Sequence, residues 1–207
     1  MPDNKDTQIA VFAGGCFWCT EAIFQRINGV LSVTSGYAGG KMANPNYEEV
    51  STGNAGHAEA VEIVFNPNII TYESLLDIFF KTHDPTTINQ QGADTGAQYR
   101  SIVFYSNEDQ KNAAESGITK AQKNYKDLIV TLILPLEKFW KAEDYHQDYY
   151  NNNKEANYCK AVIDPKIKKL FKEFPTAVSL QTTQAPLQLT TGFLFPIPKT
   201  HQLSHYS

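Results

Sequence analysis

Three cysteines, a scatter of acids and eleven tyrosines are the residues of this chain best able to do chemistry. Cys16 stands first among them, because it follows the pair Gly14-Gly15 and opens a segment, Cys16-Phe17-Trp18-Cys19, that reads as the start of a helix. A sulfur there lies beside unpaired N–H groups and the positive end of the helix dipole, both of which favour an anion. The thiolate is the nucleophilic form of cysteine, and such a location lowers a thiol pKa from about 8.5. Paired glycines also let backbone come close to a ligand. Phe17 and Trp18 are placed either to fill the core or to wall the thiol with apolar surface, where sulfur meets an aromatic edge favourably.

The other two thiols leave alternatives open. Cys16 and Cys19 form a formal Cys-x-x-Cys redox pair, the mark of a thioredoxin-like disulfide oxidoreductase, although bulky aromatics between the thiols speak against it. A metal module built from Cys16, Cys19, His57 and Cys159 lacks the paired ligand knuckles of a zinc ribbon. Cys159, in Asn157-Tyr158-Cys159-Lys160, reads as part of a polar loop able to move.

The elements that must position these groups follow from periodicity. Gln8 to Ala13 is an apolar run stopped by Gly14-Gly15 and reads as a buried strand. A helix follows from Cys16 to about Asn28, with Gly29 as its stop. Val30 to Tyr37 reads as a second strand, and Ala58 to Phe65 as a third with clear alternation. That alternation puts Glu59 on one face with Val61, Ile63 and Phe65, so its side chain is expected to point inward. Thr71 to Thr82 is an amphipathic helix, Ser101 to Tyr105 a fourth strand and Asn107 to Asn124 a polar surface helix. The order β-α-β-β-α-β indicates an α+β fold, a ferredoxin-like two-layer sandwich with two helices on one face of an antiparallel sheet. A fifth strand, Leu128 to Leu134, extends it, and an irregular C-terminal extension with a short basic helix, Pro165 to Phe174, completes it.

A chain of 207 residues, 42% hydrophobic, holds one good core. One catalytic domain is expected over 1–175. Residues 176–207 carry a single charged residue, Lys199, together with Pro186, Pro196 and Pro198, and are expected to be a disordered or loosely docked tail. A net charge of -4 without a basic block argues against nucleic acid as a partner. Neither a signal sequence nor an apolar span of about 20 residues is evident, so a cytoplasmic protein with no membrane contact is expected. An odd number of cysteines does not fit a secreted disulfide framework.

Seven segments, in order, carry a resemblance. They are Gly14 to Cys19, Gly36-Tyr37-Ala38-Gly39-Gly40, Asn44-Pro45-Asn46-Tyr47, Gly56-His57-Ala58-Glu59-Ala60-Val61, His83-Asp84-Pro85, Asp94-Thr95-Gly96-Ala97-Gln98-Tyr99-Arg100-Ser101 and Ala142-Glu143-Asp144-Tyr145-His146-Gln147. The chain from about residue 8 to 175 thereby resembles the A-type peptide methionine sulfoxide reductases. The resemblance implies a peptide-methionine (S)-S-oxide reductase acting on free or protein-bound methionine sulfoxide. It implies that Cys16 attacks the sulfoxide sulfur, that Glu59 protonates the oxygen, and that Tyr47 and Tyr99 hydrogen-bond it. Phe17 and Trp18 would hold the methyl group, and Asp94 would join the polar network around them.

That chemistry is self-consistent. A sulfoxide oxygen leaves poorly unless protonated, and a buried glutamic acid with a raised pKa is a suitable donor. Reduction leaves a sulfenic acid on Cys16, which condenses with a second thiol. The resemblance favours Cys159 as that thiol, with Cys19 as the alternative. It also implies that an external dithiol protein, thioredoxin, reduces the disulfide, so that neither a bound cofactor nor a metal is expected. A monomer serving protein repair and oxidative-stress defence is the expectation, with His57 and His83 in structural roles.

Overall fold

The computed structural model describes residues 7–178. Its elements run β1 (Gln8–Ala13), α1 (Phe17–Phe24), β2 (Val30–Ala38), α2 (Tyr47–Ser51), β3 (Ala58–Phe65), α3 (Tyr72–Thr82), β4 (Gln90–Gln91), β5 (Asp94–Thr95), β6 (Ile102–Tyr105), α4 (Glu108–Gln122), β7 (Leu132–Pro135), β8 (Phe139–Lys141), α5 (Tyr149–Asn152) and α6 (Asp164–Glu173). The fold is α+β. Six strands form one sheet in the order β7-β6-β1-β3-β2-β8, and β4 and β5 make a separate hairpin.

β1 lies inside the sheet, antiparallel to β3 in the register Gln8↔Phe65 to Phe12↔Val61, and antiparallel to β6 on its other side. Alternation then divides the side chains. Phe12, Val61, Ile63 and Phe65 are fully buried among Phe24, Leu75 and Phe79 of the helices. On the opposite face Val11, Ala13, Ala60, Ile102 and Phe104 are covered by Leu134, Leu136 and Phe139. Each fully buried Phe contributes about 1.5–3 kcal/mol of transfer free energy. Together these rows hold the C-terminal end of β1 in place, and the nucleophile follows it directly.

Helix α1 is buried on nearly every side, all of its residues except Trp18 being inside. A helix buried around its whole circumference must be enclosed by neighbours. Here the sheet closes one side, and α5, α6 and the turn at Cys159–Ile163 close the other.

Three expectations change. The strand predicted over 128–134 forms only at Leu132–Pro135, and it pairs parallel with β6. The stretch after Pro135, expected to be irregular, supplies β8, which pairs with β2 at Gly36↔Lys141, Tyr37↔Trp140 and Ala38↔Phe139. A three-residue edge strand is too short to show a period. The chain also remains docked beyond the expected domain end at 175: Asn28 donates its N–H to the carbonyl of Ala177 at 2.7 Å, and Val178 bridges Ile27. The remainder of the expected tail lies outside the described residues.

Candidate active site

The turn from β1 into α1 explains its own sequence. Gly15 has φ +89°, and a Cβ there would lie 2.5 Å from Gln91 Cγ of β4; at Gly14 a Cβ would lie 2.7 Å from the Phe79 ring. Only glycine fits either position without displacement. The turn delivers Cys16 as the N-cap residue of α1, 7% exposed at the floor of a cavity of about 200 Å³. Cys16, Phe17, Trp18, Tyr47, Glu59, Asp94, Tyr99 and Tyr158 line that cavity. Seven of the eight site residues expected from sequence therefore converge, from positions as far apart as 16 and 99. A larger, more open depression of about 680 Å³ lies along Gln8, Tyr72, Ser106 and Gln110. Among the described residues its lining holds no thiol or imidazole.

Glu59, at the start of β3, is 2% exposed and points inward as its phase required. Its Oε2 accepts the backbone N–H of Phe17 at 3.0 Å. Burial pushes its carboxyl up to about 8; the Phe17 N–H partly offsets this, and the nearby Asp94 and Cys19 add to it. Glu59 is therefore largely protonated at neutral pH and able to give up a proton. Burial likewise holds the phenols of Tyr47 and Tyr99 above their ordinary value, with Glu59 adding to both. Both remain proton donors. Tyr47 is placed by the box that caps α2, in which Asn46 and Glu49 bond reciprocally, and its backbone N–H donates to Glu143 at 2.9 Å.

The thiols depart from expectation. A helix N-terminus favours the Cys16 thiolate, but burial drives this thiol well up, and Cys19 and Glu59 add to the rise. Enclosure outweighs the dipole here, because desolvating an anion costs more than partial charges at a helix end return. Cys19, one turn along, is brought down to about 7, chiefly by its interaction with Cys16. Cys159 is not in a mobile loop: it lies inside a continuous helical stretch, at the start of the wide turn Cys159–Ile163, and is fully buried. The aliphatic and aromatic residues of this stretch pack on α1, which a local reading of its polar neighbours could not reveal. Cys159 lines no part of the cavity, and all three thiols are free.

Sequence reasoning missed Tyr158, His146 and Glu21. The Tyr158 hydroxyl donates to Asp94 Oδ2 at 3.0 Å and lies 3.7 Å from Cys19 Sγ. His146 Nδ1 accepts from Trp18 Nε1 at 3.1 Å, and its ring packs against Phe17 and Tyr47 at 5.0 and 4.5 Å. Glu21 is a buried acid raised to about 7 by burial. His146 belongs to a segment already singled out, but its contact with Trp18 spans 128 positions and leaves no local mark.

The model of the peptide methionine sulfoxide reductase family matches residues 8–177. The chain belongs to this family. The peptide methionine sulfoxide reductase MsrA of Sulfolobus acidocaldarius is 53% identical over 174 residues, covering 84% of this chain and 99% of the relative. The crystal structure of reduced Mxr1 from Saccharomyces cerevisiae superposes with a TM-score of 0.70 at 33% identity, over 76% of this chain and 91% of that one. Mxr1 in complex with Trx2 superposes with a TM-score of 0.51 at 28% identity, over 71% and 87%. This reductase is an oxidoreductase that uses a thiol to reduce methionine S-sulfoxide to methionine.

In the reductase both candidate structural histidines are satisfied internally. His57 Nδ1 accepts from the Gly40 N–H at 3.0 Å while Nε2 donates to the Met42 carbonyl at 2.7 Å. His83 donates from Nδ1 to Phe79 O and accepts at Nε2 from Ser101, and burial brings it down to about 4. With both nitrogens of His57 engaged, it has no lone pair for a metal.

Proposed function

We propose that Cys16 is the nucleophile and Glu59 the acid of this reductase, with Phe17 and Trp18 holding the substrate methyl group and Tyr47, Tyr99 and Asp94 forming the polar side of the site. The observation that carries this reading is that Cys16 and a raised, inward-pointing Glu59 line one cavity, joined through the backbone of Phe17. As Cys16 sulfur attacks the sulfoxide sulfur, negative charge grows on the oxygen. Glu59 supplies a proton to it, and the two phenols donate hydrogen bonds, an arrangement able to remove several kcal/mol from the barrier. The Cys16 thiol proton and the Glu59 proton both pass to that oxygen, which leaves as water while an S–S bond joins Cys16 to the substrate. A water oxygen then adds to the Cys16 sulfur, the S–S bond breaks with release of methionine, a proton returns to Glu59, and Cys16 is left as a sulfenic acid. Cys159 supplies the second sulfur: water leaves and a disulfide forms.

Thioredoxin is the external reductant in this reading, supported by the complex of the yeast relative with Trx2. No bound cofactor is required, because the electrons come from thiols. The substrates are oxidised proteins and free methionine sulfoxide, and the role is repair and oxidative-stress defence in the cytoplasm. Among the described residues, no helix is long and apolar enough to cross a membrane. A monomer is the working unit in this reading. The inner strand order β6-β1-β3-β2 supports the finer description of the core as ferredoxin-like.

The test is reduction of separated S and R epimers of methionine sulfoxide with a thioredoxin system and with dithiothreitol. Activity on S alone is expected, abolished in Cys16→Ser. Activity confined to R overturns the reading.

A further inference from the structure

Glu21 takes no part in the chemistry above, yet it is among the most deeply buried acids of the chain, 1% exposed. We propose that Glu21 is a positioning residue: its carboxylate locks the segment carrying His146 and Tyr149 onto α1, and through those two rings it fixes Trp18 at the substrate cavity. The proposal rests on the reading of Trp18 as part of the methyl-binding wall.

The geometry is a closed loop that starts and ends on α1. Glu21 Oε1 accepts the backbone N–H of Asp148 at 2.9 Å, and Oε2 accepts that of Tyr149 at 3.3 Å. These are the N–H groups at the start of α5, which need acceptors from outside the helix. Asp148, the N-cap residue with φ 52°, does not cap the turn; its Oδ1 accepts instead from Asn151 Nδ2 at 2.6 Å. Glu21 thus does the capping from a different helix.

The anchored segment then reaches back to α1. The ring of Tyr149 lies flat on the Trp18 indole, with centroids 3.6 Å apart and planes 6° from parallel. His146 takes the indole N–H on its Nδ1. Trp18 is therefore held on one face by Tyr149, whose backbone N–H is tied to Glu21 three positions further along the helix of Trp18, and at one edge by His146 of the same segment. Other ties secure the segment elsewhere. Gln147 bonds the backbone of Ser35 on β2, and Arg26 bonds Asn151 beyond the end of α1. The Glu21 bonds fix the backbone of the segment against α1 one turn on from Trp18.

A carboxylate is specifically suited to this task. Each of its oxygens meets an N–H, so a glutamine would have to turn its NH₂ toward one of the donors. The expected consequence is a displaced Tyr149 and a Trp18 free to rock, with Cys16 and Glu59 left in place. Substrate would then bind less well while the chemical step is spared, which reads as a rise in KM with little change in kcat.

The experiment uses the full chain with Trp140→Phe, so that Trp18 is the sole tryptophan. Glu21→Gln should raise KM for methionine sulfoxide by about 3- to 10-fold with kcat within about twofold, a loss confined to binding. Trp18 emission should shift to the red and become more quenchable by acrylamide. Tyr149→Ala should give a similar rise, and Glu21→Gln should add less in that background than it does alone, because the two share one of the contacts that hold Trp18. If Glu21→Gln does not fold, Glu21→Asp carries the same measurements with the charge retained. A lowered melting temperature with KM and Trp18 emission unchanged overturns the proposal, as does full additivity with Tyr149→Ala. Trp18→Ala separates the two readings: a raised KM there, with none in Glu21→Gln, removes Glu21 alone, and an unchanged KM removes the Trp18 wall and this proposal together.

Discussion

Glu59 and Phe17, 42 positions apart, are joined by a 3.0 Å bond from the Phe17 N–H to the Glu59 carboxyl, and this bond ties the acid to the residue directly after the nucleophile. The acid is thereby referenced to Cys16 through rigid backbone rather than through a side chain, which limits drift between the two groups.

The first prediction concerns pH. Glu59 acts in its protonated form, so single-turnover reduction of methionine sulfoxide should decline as pH rises through about 8. Glu59→Gln should lose about 100- to 10,000-fold, the usual span for removal of a general acid, together with that decline. The same group acts on stability. Because the folded carboxyl is raised from 4.5 to about 8, its contribution is full below pH 4.5 and is lost as pH rises through about 8. Melting temperatures of wild type and Glu59→Gln should converge at the acid end and separate at the alkaline end, with the wild type losing more.

The second concerns the resolving thiol. Cys159→Ser should keep one burst of product per enzyme and lose thioredoxin-driven turnover. Cys159 is fully buried in a helical stretch and lines no part of the cavity, so the turn at Cys159–Ile163 is expected to open as its sulfur meets Cys16. Wide turns of this type are rare and often sit at functional places. Amide hydrogen exchange over 157–163 should accelerate when sulfoxide is added without reductant. Normal turnover by Cys159→Ser, with unchanged exchange, moves the resolving role to Cys19.

The third concerns the turn before Cys16. Gly15→Ala meets both a left-handed backbone and the Gln91 side chain 2.5 Å away. A loss of about 1–3 kcal/mol is expected in denaturant unfolding, the range for a strained backbone position. The burst should also shrink, because relief of that strain moves Cys16.

The fourth concerns Tyr158. Tyr158→Phe keeps the ring edge-on to Trp18 at 5.8 Å but removes the hydroxyl between Cys19 and Asp94. That hydroxyl helps to lower the Cys19 thiol, so thiol titration in a Cys16→Ser background should show Cys19 ionising at higher pH than with Tyr158 intact. An unchanged titration removes Tyr158 from the thiol network.

Patterns of short range were legible in the sequence. β1 and β3 form over the expected residues, because alternation and apolar runs bounded by glycine, asparagine and proline are local signals. The inward direction of Glu59 followed from the same period of two, and the N-cap position of Cys16 from the Gly-Gly break. Which groups are enclosed is a different kind of quantity. It depends on what distant segments cover, and so the direction of the Cys16 thiol, the burial of Cys159 and the pairing of β8 with β2 were decided by tertiary structure. The links from Tyr158 to Asp94, from His146 to Trp18 and from Glu21 to Tyr149 span 64 to 128 positions. No residue's neighbours in sequence encode such a contact. The chain alone determined the chemical types and the local frame of the site; packing decided their protonation and the company each keeps, because desolvation and hydrogen bonding act through space.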